Sequence, residues 1–144
     1  MNLENEIHVV VKGVIVSEAK MLIVKRSAED EIGAGTWEFP GGKIEFEEAI
    51  EAALIREVSE ETGLSVTVDR LLYATTFFTK ATRKVVLMTY LCQSPSSDVL
   101  LSEEHSDYMW ASEEDARKKL PTVMLGELEK ARFLKFLKCL SVKP

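Results

Sequence analysis

GGKIEFEEAIEAALIREVSEETGL, Gly41 to Leu64, is the stretch on which the reading of this chain turns. It has the spacing of an amphipathic helix over Glu47–Thr62, with Gly63 placed as a left-handed C-terminal cap. Successive helical residues turn by about 100°, so positions three and four apart share a face. With Glu57 as origin on a helical wheel, Ile50, Ala53 and Leu54 fall within roughly 60° of it, and so do Glu60 and Glu61. Glu51, Ser59 and Thr62 point away. The first half of the helix thus reads as a packing face, and the second half carries carboxylates along nearly the same direction. Like charges at this spacing destabilise a bare helix by a few tenths of a kcal/mol per pair, and partial burial raises that cost. A divalent cation removes the conflict, because Mg²⁺ takes oxygen ligands and keeps waters that a phosphate can replace. Arg56 lies one turn before Glu60, where its guanidinium can fix that side chain. The Gly41-Gly42 turn lets backbone approach the acidic face.

The flanking sequence frames this helix with strands. IHVVVKGVIV (7–16) and MLIVKR (21–26) read as a hairpin joined at Ser17-Glu18-Ala19-Lys20. SAEDEIGAGTW is a polar loop, and WEFP runs into a turn at Pro40-Gly41-Gly42. Strand-like segments follow at 65–79, with a break near Asp69-Arg70, at 83–93 and at 107–112, and SPSSD (94–98) is a loop. Ser112 reads as the N-cap of a short helix, with Asp115 three residues on, and Pro121 ends it. A final helix is expected from Val123 to Leu140, with Leu128, Ala131, Leu134, Leu137 and Leu140 as its stripe and Lys130, Lys135 and Lys138 on a solvated face. Strands with one long central helix and one C-terminal helix imply a mixed sheet covered on both faces.

Composition narrows the function. The 144 residues suit one domain, residues 1–144, and are short for two. With 24 acidic against 18 basic residues the net charge is −6, which argues against a duplex nucleic-acid binder. A polyphosphate substrate would need cations to hold it. The apolar runs are strand-length, far short of a membrane span, and MNLENEIHVV does not read as a secretory signal. Cys92 and Cys139 have no metal-ligand or redox spacing and read as buried thiols of a reducing compartment, the cytoplasm. His105 reads as a solvated or hydrogen-bonded loop residue, and Tyr108 and Trp110 as strand residues with no catalytic part.

These residues resemble the Nudix hydrolase family, whose signature is G-x5-E-x7-R-E-U-x-E-E-x-G-U with U aliphatic. Gly42, Glu48, Arg56, Glu57, Val58, Glu60, Glu61, Gly63 and Leu64 meet it in full, against a chance match on the order of one in a billion per start site. WEFPGGKIE (37–45) is most similar to the MutT-type pyrophosphohydrolases, and the likeness extends to EEHSDYMWAS (103–112). It implies the α/β/α Nudix sandwich, with a mixed β-sheet between helices. It also implies hydrolysis of a nucleoside diphosphate linked to a further group. The alternatives are a nucleoside triphosphate cleaved to monophosphate and pyrophosphate, or ADP-ribose, a dinucleoside polyphosphate or another conjugate. A nucleotide-binding regulatory module without hydrolysis is a further alternative.

Carried over by position, Glu57, Glu60 and Glu61 would hold Mg²⁺, or Mn²⁺ in its place, with the backbone carbonyl of Gly41. Glu48 would support the site, and Arg56 would fix its carboxylates. Glu104 would join it, six residues before Trp110, with Glu103 as the competing candidate. Lys43 would face a phosphate, and Arg26, Phe39 and Met124 would line the base cleft. Met124 stands where the guanine-recognising bacterial member carries an asparagine, and a thioether cannot present the paired donor and acceptor of an amide. A small nucleotide is therefore the expected partner, with no membrane, and a two-fold homodimer is the assembly expected by frequency.

Overall fold

A computed structural model of the chain describes residues 4–28 and 33–137. The first two strands, β1 (Glu6–Ser17) and β2 (Lys20–Arg26), form the expected hairpin. Its two-residue turn places Glu18 and Ala19 at φ of 51° and 64°, the left-handed geometry that a tight hairpin demands. Short strands follow at β3 (Trp37–Glu38) and β4 (Gly41–Lys43). The expected turn at Pro40-Gly41-Gly42 is therefore corrected: its glycines are themselves a strand, paired antiparallel to Val10, Val11 and Lys12 of β1. Gly41 sits at φ 145°, and a Cβ there would run into the Val11 carbonyl, so glycine is what allows the pairing.

Helix α1 (Ile50–Thr62) begins three residues later than expected, because Glu45–Glu48 forms a turn closed by the Glu48 N–H to the Glu45 carbonyl. Gly63 caps it at φ 74°, its N–H donating to the Ser59 carbonyl at 2.9 Å. Next come β5 (Thr67–Lys80), β6 (Arg83–Gln93) and β7 (His105–Ala111). The expected break near Asp69-Arg70 is a register shift within a continuous β5. Helix α2 (Glu113–Lys119) starts in a full capping box between Ser112 and Asp115.

The final helix departs from expectation. It is split into α3 (Thr122–Lys130) and α4 (Phe133–Phe136), with Arg132 at φ 58° between them. Leu128, Leu134 and Leu137 of the expected stripe are buried across the bend, and Phe133, which lay off that stripe, is buried with them. Leu140, Lys138 and Cys139 lie outside the described residues.

The sheet runs β3-β2-β1-β6-β5, with β4 alongside β1 and β7 alongside β2. The β1–β6 pairing is parallel and the rest are antiparallel, so the sheet is mixed. Alternate residues of β1 and β2 divide the interior. Val14, Val16, Met21 and Ile23 pack with α2, α3 and α4 on one face. Val11, Ile15, Leu22 and Val24 pack with Ala53, Leu54 and Val58 of α1 on the other. This is the three-layered sandwich expected. No helix among the described residues is long and apolar enough to cross a membrane.

Candidate active site

Helix α1 buries Ala53, Leu54, Val58, Glu61 and Thr62. The packing face is therefore rotated from the expected one. Ile50 overhangs the sheet at the first turn and is 37% exposed, while Thr62 is fully buried, donating to the Val58 carbonyl at 2.7 Å. The rotation separates the three carboxylates. Glu61 is 2% exposed beneath β4, accepting the Gly41 N–H at 3.2 Å. Glu57 points at Gly42, where any Cβ would overlap its carboxylate. Glu60 turns largely outward.

Arg56 ties this acidic surface together. Its Nε and Nη2 donate to Glu48 at 2.6 and 2.7 Å, and Nη1 donates to Glu57 at 2.7 Å and to Glu60 at 3.3 Å. Nη2 also reaches the Lys43 carbonyl at 3.3 Å. The guanidinium holds the Glu48 carboxyl down to about 2, with help from the Glu45 N–H. The expected contact to Glu60 is present, but Glu48 and Glu57 are the closer partners.

A second polar cluster sits on the far side of β4, and sequence reasoning did not find it. Glu38 of β3 accepts from Lys12 Nζ at 3.5 Å and Arg26 Nη1 at 3.2 Å, and meets His105 Nε2 at 2.9 Å. Burial works to raise the Glu38 carboxyl, but the His105 hydrogen bond and the Lys12 and Arg26 charges outweigh it and bring it to about 2. His105 is in strand β7 and 6% exposed, rather than in a solvated loop. Its Nδ1 lies 3.9 Å from Glu61 Oε1, so the imidazole stands between Glu38 and Glu61. Lys12 Nζ also donates to the Gly41 carbonyl at 3.3 Å. The one signal available for Lys12 was a charge interrupting an apolar strand.

These groups border a cavity of about 590 Å³. Its lining joins Glu57, Glu104, Gly41, Gly42, Lys43 and Lys12 to Phe39, Met124, Pro121 and residues of β5 and β6. Arg26 lies along it, bound to Glu38. Glu104 lines the cavity and Glu103 does not. Glu48 and Glu60 stay outside the lining, gathered at Arg56. The loop leading to Glu104 is pinned to the end of α1: the Leu100 N–H donates to the Thr62 carbonyl at 2.9 Å and the Ser102 N–H to the Glu61 carbonyl at 3.1 Å.

The donor set fits a hard divalent cation. Burial pushes the Glu61 carboxyl up to about 8, with Lys12 and the Gly41 N–H pulling against it and Glu104 and Glu57 adding to it. Glu57, Glu61, Glu104 and the Gly41 carbonyl offer the oxygen donors that Mg²⁺ takes. Among the described residues no three acidic, His or Cys side chains are placed to hold a metal ion as they stand, and Glu48, Glu57 and Glu60 are paired with Arg56 instead.

A family model described as NUDIX domain matches residues 6–131. A "MutT-like protein" of Streptomyces ambofaciens is 34% identical over 113 residues, covering 78% of this chain and 69% of that protein. A "CTP pyrophosphohydrolase" of Escherichia coli (strain K12) is 32% identical over 107 residues, covering 74% and 77% respectively. Among solved structures, a MutT protein from Methanosarcina mazei Go1 superposes with a TM-score of 0.81 at 28% identity, covering 91% of this chain and 96% of that one.

Proposed function

The chain belongs to the NUDIX family of MutT-like pyrophosphohydrolases, and from that premise we propose that it hydrolyses a nucleoside triphosphate to the monophosphate and pyrophosphate. The observation that carries the reading is the polarity of the cavity. Carboxylates and cations line it together with apolar and aromatic side chains. A triphosphate with its cations fits the first, and a nucleobase fits the second. The relative named for CTP hydrolysis supports a triphosphate substrate.

In this reading Glu57, Glu61, Glu104 and the Gly41 carbonyl hold divalent cations, taken to be Mg²⁺, with Glu60 and Glu48 as further oxygen donors at the Arg56 side. When bound, the cations lower the pKa of a water and neutralise charge on the phosphate oxygens. Glu104, lining the cavity, would take the proton of the attacking water as general base through an oxygen not engaged by a cation. Lys43 and Lys12 face the phosphates, and Arg26 and Phe39 bracket the way to the base. Water oxygen bonds to phosphorus, the bridging P–O bond breaks, and pyrophosphate leaves.

A panel of nucleoside triphosphates, ADP-ribose and dinucleoside polyphosphates, assayed with Mg²⁺ for wild type and Glu57→Gln, tests this. We expect triphosphate turnover that falls at least ~10²-fold in the variant. No turnover of any compound, with nucleotide binding unchanged in Glu57→Gln, would leave a binding module instead; turnover of ADP-ribose alone would replace the substrate class.

A further inference from the structure

Beside Lys12 of β1, the cavity holds polar groups of β5, β6 and α3 to which the hydrolysis itself assigns no part. Tyr73 of β5 and Thr89 of β6 are cross-strand partners on its floor, and Glu127 of α3 faces them from the wall. Thr89 is fully buried, and its Oγ1 has no hydrogen-bond partner among the described residues. A buried hydroxyl without a partner is costly unless something else supplies one. The Tyr73 phenol lies near enough to sense Thr89, yet their geometry falls short of a hydrogen bond. Burial pushes that phenol up, Thr89 opposes this, and the Glu127 charge adds to it, so the carboxylate is felt inside the cavity. Lys130 is the ion-pair partner of Glu127, at 3.7 Å and 79% exposed, and a solvated pair at that distance contributes little.

We propose that Glu127, with Thr89 and Tyr73, reads the nucleobase and selects bases that carry an exocyclic amine (cytosine, adenine or guanine) over uracil and thymine. The inference rests on the nucleotide-hydrolase reading above. A carboxylate only accepts hydrogen bonds, so it pairs with an amine and repels a base edge on which carbonyls flank the single N–H. The Tyr73 hydroxyl can donate to the ring nitrogen or carbonyl beside that amine, with the fully buried Thr89 hydroxyl next to it as a positioning group. Phe39 and Met124 supply apolar contact without choosing among bases.

The test measures dissociation constants of CMP, AMP, GMP, UMP and TMP by calorimetry with Mg²⁺, so that no turnover is needed. In wild type at least one amine-bearing monophosphate should bind ~10-fold or more tightly than UMP and TMP, the usual cost of leaving a buried polar group unpaired. In Glu127→Gln that ratio should fall towards one, because an amide can also donate to a uracil carbonyl. Thr89→Val should weaken the favoured monophosphate, whereas Thr89→Ser, which keeps the hydroxyl, should not. Equal affinities in wild type, an unchanged ratio in Glu127→Gln, or no binding of any monophosphate would each overturn the proposal. Triphosphate hydrolysis by the same samples reports separately on the function itself.

Discussion

Replacing Glu38 by glutamine removes one charge and little volume from a site where three basic groups converge. At neutral pH a carboxyl brought from 4.5 to about 2 corresponds to about 3 kcal/mol of folding free energy, at about 1.4 kcal/mol per pKa unit. Removing one partner from a buried ion pair costs about 3–5 kcal/mol by mutation. Arg26 keeps 30% of its side-chain exposure, which lowers the expectation to about 2–3 kcal/mol for Glu38→Gln at pH 7. The pH dependence has a definite sign. Because the folded-state value is depressed, the contribution is complete above about pH 4.5 and is lost as pH falls towards 2. Less than half should remain near pH 3. Urea unfolding followed by the fluorescence of Trp37 and Trp110, at pH 7 and at pH 3, measures both quantities. A variant within about 0.5 kcal/mol of wild type at pH 7, or a gap that does not narrow at pH 3, would refute the view that Glu38 is held ionised by its neighbours.

Further outcomes are expected elsewhere in the molecule. Gly42→Ala places a methyl against the Glu57 carboxylate and should lower kcat/KM by ~10- to 10²-fold, with Tm nearly unchanged because a side-chain end can swing aside; this is read by comparing initial rates with a thermal melt. Arg56→Lys keeps the charge but loses the fork that holds Glu48 and Glu57. A drop of ~10-fold or more in kcat is expected, together with a shifted Mg²⁺ titration curve. Ser112→Ala removes one half of the α2 capping box and should reduce Tm by ~2–4 °C while leaving the rate alone. EDTA should abolish turnover, Mg²⁺ or Mn²⁺ should restore it, and either ion should raise Tm by binding the folded chain.

The acidic helix was legible because its conflict is local: glutamates on a face that the preceding turns make apolar. The hairpin and β6 were legible because β-branched runs bounded by turn residues admit few alternatives. The Glu38 cluster was not, since His105 is 67 residues from Glu38 and Lys12 is 26, and the pairings of β2 with β3 and β7 and of β1 with β2 and β4 bring them together. The split between α3 and α4 was equally hidden. Arg132 adopts a left-handed conformation with neither glycine nor proline to announce it, and the burial of Phe133 and Leu134 accompanies that turn. Ile50 misled because helical periodicity reports direction but not whether a neighbour covers the first turn, where Ile50 stands 37% exposed.

The acidic residues of α1 and the floor of the cavity belong to opposite faces of one sheet, and they meet around the glycines of β4 and at His105. Substitutions that reshape the β5, β6 and α3 side therefore reach the ligand without disturbing the packing that holds α1. Such a molecule can trade one recognised compound for another while its cleavage chemistry is kept, and a laboratory selection for new preferences should find permissive positions on that side.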